Sequence, residues 1–274
     1  PVPASANLSR PPLHRAGVVA HDTGAFRHPE TSPGGYVMDS QPGLYRNVLV
    51  LDFKSLYPSI IRTFLIDPLG MAFPGDDPVP GYLNSEFSRQ RHLLPGIISK
   101  LWELRDQAKQ EGNAPLSQAI KIIMNSFYGV LGSSGCRFYD PRLASSITRR
   151  GHQIITRSRD WLEAAGFPVI YGDTDSVFVL LGEGFDEAAA QEAGTRLARD
   201  LNQWWTESIA QEFRLPSALE IEFETHFLQF IMPTIRGTET GSKKRYAGVV
   251  RRHGELELVF KGLESVRSDW TPLA

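Results

Sequence analysis

Apolar and polar positions along this chain recur in two periods, one of strands and one of helices. Leu44 to Val50 is strand-like and leads into Asp52, and Ser55 to Phe64 has the spacing of a short helix opening near Pro58. Residues 66–91 hold several Pro, Gly and Asp and read as a loop excursion. Pro95 introduces a helix over Gly96 to Gln110, with Ile97, Ile98, Leu101, Trp102 and Leu104 as its apolar face, and Glu111-Gly112-Asn113 ends it. A second helix runs from Pro115 to about Tyr128, antiparallel to the first, closed by Gly129 and Gly132. Its broad apolar surface comprises Ala119, Ile120, Ile123, Met124, Phe127 and Val130. Residues 141–165 are helical, with Ile147, Ile154, Ile155, Trp161 and Leu162 as buried positions. Val169 to Tyr171 and Ser176 to Leu181 are strands joined by the turn Gly172-Asp173-Thr174-Asp175. A further helix spans Asp186 to Gln211, and strands follow at Leu219 to Glu224, Phe227 to Met232, Lys244 to Arg251 and Leu256 to Phe260.

At 274 residues and 41% apolar content, the chain is long enough for a sizeable core in one large or two smaller domains. The 29 Lys and Arg against 31 Asp and Glu leave a net charge of -2, so the total charge selects no partner. Its distribution is more telling: Arg142, Arg149, Arg150, His152, Arg157 and Arg159 form one basic group, and Arg236, Lys243, Lys244, Arg245, Arg251, Arg252 and His253 another. Each group is either a solvated face or a contact for an anionic partner. The single cysteine, Cys136, excludes an internal disulfide and a cysteine zinc site, which fits a reducing cytoplasm. No apolar run approaches the roughly 20 residues of a membrane span, and the start carries no signal pattern, so a soluble, cytoplasmic location is expected. The Pro-rich start and the open end at Ala274 read as an excised piece of a longer protein.

Two acidic segments, around Asp52 and around Asp173 and Asp175, each continue an apolar strand. Carboxylates placed so can hold two divalent cations roughly 3.5 to 4 Å apart for phosphoryl transfer, although a polar hairpin turn gives the same Asp-x-Asp pattern. Hard oxygen donors without a His or Cys cluster suit Mg2+, with Mn2+ as substitute, rather than zinc. Lys121, Asn125 and Tyr128 fall at i, i+4 and i+7 on one helix face, and Arg105 and Lys109 lie four apart on the preceding helix. These cations are either a solvated face or the neutralising wall for a triphosphate. Tyr57 and Tyr128 are either core packing or contacts to a sugar and a base.

Asp52-Phe53-Lys54-Ser55-Leu56-Tyr57-Pro58-Ser59-Ile60-Ile61 resembles motif A of the family B DNA polymerases. Lys121 to Gly129 is similar to their motif B, Tyr171 to Ser176 to their motif C, and Lys243-Lys244-Arg245-Tyr246 to their basic primer-gripping motif, in the expected order. The runs Cys136 to Thr148 and Lys261 to Arg267 narrow the resemblance to a bacterial branch of that family.

The resemblance implies an α+β fold: a palm with an antiparallel sheet and packed helices, interrupted by a two-helix antiparallel fingers insertion. The division it implies is an irregular lead-in over 1–35, palm over 36–65, fingers over 66–133 and palm again over 134–274, stopping where a thumb would begin. It implies Asp52 and Asp175 as ligands of two Mg2+ ions, with the Phe53 carbonyl as a further ligand and Asp173 beside them in the catalytic group. Ser55, Leu56, Tyr57, Arg105, Lys109, Lys121, Asn125 and Tyr128 would bind the incoming deoxynucleoside triphosphate, Tyr57 as a steric gate and Tyr128 as a check on the nascent pair. Lys243, Lys244, Arg245 and Tyr246 would contact the primed DNA template. Exonuclease and thumb are lacking and Ser268 replaces an expected arginine, so proofreading is not expected and DNA binding should be weak and salt-sensitive. Any sliding-clamp contact would go through regions missing here; the implied setting is a bacterial nucleoid, without a membrane. The alternative is a catalytically idle polymerase-like module that binds nucleic acid or scaffolds partners.

Overall fold

The run Asn47-Val48-Leu49-Val50-Leu51 is buried at every position, as expected of a strand covered on both faces. It is the centre of strand β1 (Gly43–Phe53), which runs three residues past the expected end at Val50 and so includes Asp52. The computed structural model describes residues 11, 12, 14, 15, 17, 33–234 and 241–263; most of the expected lead-in, Arg236 and the run from Glu264 to Ser268 lie outside them.

After β1 come helix α1 (Leu56–Thr63), short helix α2 (Pro68–Ala72), strands β2 (Val79–Pro80) and β3 (Glu86–Phe87), and helices α3 (Leu94–Gln110), α4 (Ala114–Leu131) and α5 (Pro141–Ala164). Strands β4 (Val169–Asp173) and β5 (Ser176–Leu180), helix α6 (Glu187–Phe213) and strands β6 (Ile221–Met232), β7 (Tyr246–Arg252) and β8 (Glu255–Lys261) complete the order. Helices packed with an antiparallel sheet make the fold α+β, as expected. Two compact units divide the chain: one takes Ser55–Gly151 and Trp205–Leu219, the other Gly35–Lys54, His152–Trp204 and the described residues from Glu220 onward.

The second unit carries the six-stranded sheet in the order β4-β5-β1-β6-β7-β8, with every neighbouring pair antiparallel. Val48, Val50, Ile170, Tyr171, Phe178, Phe227, Phe230 and Tyr246 form one buried cluster on this sheet. The rings of Phe178, Phe230 and Tyr246 sit 5.2 to 5.5 Å apart, within the range of favourable aromatic packing. Two expected strands are one: Leu219–Glu224 and Phe227–Met232 merge into β6 because Thr225 and His226 pair with Val50 and Leu49 rather than breaking the strand. His226 Nε2 lies 2.9 Å from the Asn47 side-chain oxygen, so the polar residue that looked like a break has a buried partner. The outer edge of β4 is covered by the segment 36–41, where Met38 N–H donates to Gly172 O at 2.9 Å and Gln41 N–H to Ile170 O at 3.1 Å. Asn202 of α6 acts as a strand partner, donating to Ile221 O at 2.7 Å and accepting from Ile221 N–H at 2.9 Å.

In the first unit, the expected loop over 66–91 contains α2 and the β2–β3 hairpin. Asp67 organises it. One carboxylate oxygen accepts from Gly70 N–H at 2.8 Å and caps α2, and the other accepts from Leu93 and Leu94 N–H at 3.1 and 2.7 Å and caps α3. The turn after Glu111 places Gly112 at φ 69, and Asn113 caps α4 through Leu116 N–H at 3.1 Å, folding α4 back along α3. Of the apolar surface expected on α4, Ala119 is exposed and Ile123 half-buried; of that expected on α5, Trp161 is half-buried.

The basic group of α5 is largely structural. Arg150 is buried, donates to Pro80 O at 2.8 Å and lies 4.5 Å from the Phe64 ring and 4.6 Å from the Phe213 ring. Arg142 is paired with Asp140 at 2.7 Å and Arg159 with Asp160 at 2.6 Å, while Arg157 lies over Trp204 at 5.2 Å. Among the described residues, no helix is long and apolar enough to cross a membrane.

Two stability predictions follow from these buried groups. Asp67→Ala strips the caps of two helices and should lower the unfolding free energy by about 2 to 4 kcal/mol in chemical denaturation. Burial pushes the His226 imidazole below its ordinary value, so the folded state favours the neutral ring. That contribution is complete above about pH 6.5 and is withdrawn as pH falls below it. Thermal melting from about pH 7.5 down to about pH 5.5 should therefore show a smaller loss for His226→Gln than for the wild type.

Candidate active site

The end of β1 and the β4–β5 hairpin converge because of strand register. Asp52 faces Ser176 across the β1–β5 pair and Glu222 across the β1–β6 pair. One residue on, Phe53 N–H donates to Asp175 O at 2.7 Å, which ties the main chain of the first acidic segment to that of the second. Gly172 and Asp173 belong to β4, so the turn is Thr174-Asp175, two residues shorter than expected, with Thr174 at φ 54. Thr174 N–H donates to Tyr36 O at 2.7 Å, and a Cβ at Gly172 would meet the sulfur of Met38. The hairpin tip is thereby held from the side of the 36–41 segment as well as from β1.

Asp175 is partly buried, and burial, reinforced by the neighbouring Asp173 carboxylate, raises its carboxyl above the ordinary value. A desolvated negative charge of this kind would be relieved by a bound cation. Asp173 already has one: its Oδ1 lies 3.3 Å from Lys244 Nζ and accepts from Thr174 Oγ1 at 3.0 Å. Lys54 Nζ is placed between Glu220 at 3.2 Å and Glu222 at 3.4 Å. Among the described residues, no group of three or more His, Cys, Asp or Glu gathers as a ready-made ligand set. Asp52, Asp175 and the Phe53 carbonyl would offer a small, hard oxygen set, of the kind that suits an ion that keeps several waters, such as Mg2+, better than zinc.

The basic segment before β7 belongs to the same unit. Lys243 pairs with Asp39 at 3.3 Å, Lys244 N–H donates to the Tyr171 hydroxyl at 2.9 Å, and Ser242 Oγ donates to Arg245 O at 2.9 Å. Tyr246 is buried in the aromatic cluster, and burial raises its hydroxyl pKa. Farther along, Arg251 grips Glu187 and Arg252 pairs with Glu257.

The remaining nucleotide-site candidates lie in the other unit. Ser55 adopts φ 47 at the start of α1, and its hydroxyl oxygen is buried without a hydrogen-bond partner among the described residues. Leu56 is buried, whereas Tyr57 and Tyr128 are half-buried with ring centroids 4.7 Å apart. Lys109, Lys121 and Asn125 are exposed. Arg105 is different: it lies in the buried stripe of α3 with Ile98, Trp102 and Ala108, and its Nε and Nη1 have no hydrogen-bond partner among the described residues. Buried guanidinium donors left unspent are costly, and an anion would satisfy them.

The family model for DNA polymerase family B matches residues 12–69 and 87–274. The chain belongs to DNA polymerase family B. This family B chain is 58% identical over 278 residues to DNA polymerase II of Escherichia coli (strain K12), which spans all of the chain and 35% of that relative. It is 31% identical over 263 residues to the DNA polymerase of Thermococcus gorgonarius, covering 90% of the chain and 31% of that relative. DNA polymerase 1 of Pyrococcus abyssi is 31% identical over 261 residues, with 89% and 31% covered. The chain thus spans about a third of the length of these relatives. The likeness to DNA polymerase II agrees with the bacterial branch expected from the Cys136 and Lys261 runs. The bonds that fasten these candidate residues of the family B chain were not legible in its sequence. Tyr171 to Lys244 spans 73 positions, and no local pattern announces such a pair.

Proposed function

We propose that this chain is the palm and fingers part of a DNA-directed DNA polymerase, joining a deoxynucleoside triphosphate to a primer 3′-hydroxyl with release of pyrophosphate. The observation that carries this reading is the joining of Asp52 and Asp175 at adjacent strand ends, through the Phe53 N–H to Asp175 O bond, in a family B sequence. In this reading the sheet-bearing residues 36–65 and 134–274 are palm and 66–133 are fingers.

Asp52, the Phe53 carbonyl and Asp175 would hold two divalent cations, Mg2+ or in its place Mn2+, whose charge promotes hydroxyl attack and stabilises the departing oxygen. Arg105, Lys109 and Lys121 neutralise the triphosphate, Arg105 with the two donors that nothing else among the described residues uses. Ser55, Leu56 and Asn125 line the nucleotide beside them. Tyr57 and Tyr128, packed against each other, set the space at the sugar and at the nascent base pair. Lys243, Lys244, Arg245 and Tyr246 form the contact to primed DNA, supplying an affinity that falls as salt rises.

Primer extension with Mg2+ tests the assignment. Asp52→Ala and Asp175→Ala should each lower the rate by at least about a thousandfold, since each removes several kcal/mol of charge stabilisation. Retention of extension in either variant would overturn the metal assignment, and a gel shift indifferent to metal and nucleotide, without extension, would favour the idle module. Tyr57→Ala should raise the ratio of ribonucleotide to deoxynucleotide incorporation, measured by single-nucleotide extension; an unchanged ratio removes Tyr57 from that role.

A further inference from the structure

Lys244 is held in an unusual way for an exposed lysine. Its backbone has φ 62, a left-handed conformation that a side chain rarely adopts unless its surroundings impose it. Three contacts do so. Its N–H donates to the Tyr171 hydroxyl, which is fully buried in the sheet cluster. Its carbonyl lies so close to Gly262 that a Cβ there would collide with the oxygen. Its ammonium stands 3.3 Å from Asp173. Main chain and side chain of one residue are therefore both fastened to β4, at positions two residues apart. The carboxylate is the more enclosed partner, with 18% of its side chain exposed against 59% for the lysine, so the acid is the fixed point and the lysine the held group.

We propose that Asp173 is a positioning residue for Lys244, fixing its ammonium for a phosphodiester of the primed duplex rather than serving as a metal ligand. This rests on the polymerase reading of the Lys243 to Tyr246 segment. An ammonium has three donors, so Lys244 can keep its bond to Asp173 and still present two to a phosphate. The sign of the effect separates positioning from simple charge. Removing a carboxylate beside a polyanion site favours DNA by electrostatics alone. Loss of a positioning partner weakens binding instead.

The test has two arms on the 274-residue chain. In the first, without DNA, limited labelling of amines is read by mass spectrometry, with Lys243, paired to Asp39, as the internal reference. Asp173→Asn should raise labelling of Lys244 and leave Lys243 unchanged, and Asp173→Glu should restore protection. Equal labelling in wild type and Asp173→Asn would overturn the pairing. In the second, fluorescence anisotropy measures primed-duplex binding at low salt. Asp173→Asn should weaken binding by up to about fivefold, the range of an exposed ion pair, and should add nothing in a Lys244→Gln background. Tighter or unchanged binding by Asp173→Asn would overturn the positioning role. If the wild-type chain shows no affinity for primed DNA, the DNA-contact assignment and the positioning role fail together, and the labelling arm still decides the pair.

Discussion

Strand β1 is hydrogen-bonded on both sides and covered on both faces, and from that one constraint the position of the acidic residues follows. Antiparallel register allows no slip of a single residue without turning Val48 and Val50 out of the cluster they share with Phe178 and Phe230. The same register that keeps those valines inside places Asp52 opposite Ser176 and leaves Phe53 N–H to close on Asp175 O. Burial of the apolar run is thus what aligns two carboxyl-bearing segments far apart in sequence. Core and candidate site are two ends of the same ladder.

Long periodic elements were legible in the chain. The helices near 94–131 and 141–164 and most strands follow from apolar spacing, and the acidic candidates follow from polar residues at the ends of apolar runs. What was not legible has a common cause: polar residues whose partners are distant. Asp67 looked like part of a loop because its caps serve Leu93 and Leu94, and His226 looked like a strand break because Asn47 satisfies it. Arg150 read as part of a basic face, yet its guanidinium is enclosed by Phe64, Phe213 and Tyr82. A sequence reports charge, whereas only three-dimensional packing reports whether that charge is already spent.

That distinction sorts the cations of this family B chain. Arg142, Arg150, Arg159, Arg251 and Arg252 are each already engaged with carboxylates, a carbonyl or aromatic rings. Arg105 is the opposite case, buried on a helix stripe with two donors that no described residue fills. Burial without a partner is an energetic cost that a ligand can remove, whereas burial with one is a structural fastening. The half-buried tyrosine pair, Tyr57 and Tyr128, lies between these extremes, packed on one side and accessible on the other.

The bond from Thr174 N–H to Tyr36 O joins the residue between the two hairpin acids to a segment that precedes β1 in the chain. Met38 N–H meets Gly172 O on the same strand, and the Met38 side chain packs against Gly172. Mechanically, the acidic tip is clamped between two parts of the chain, β1 on one side and this upstream segment on the other, so its geometry answers to polypeptide that contributes no acid of its own to it.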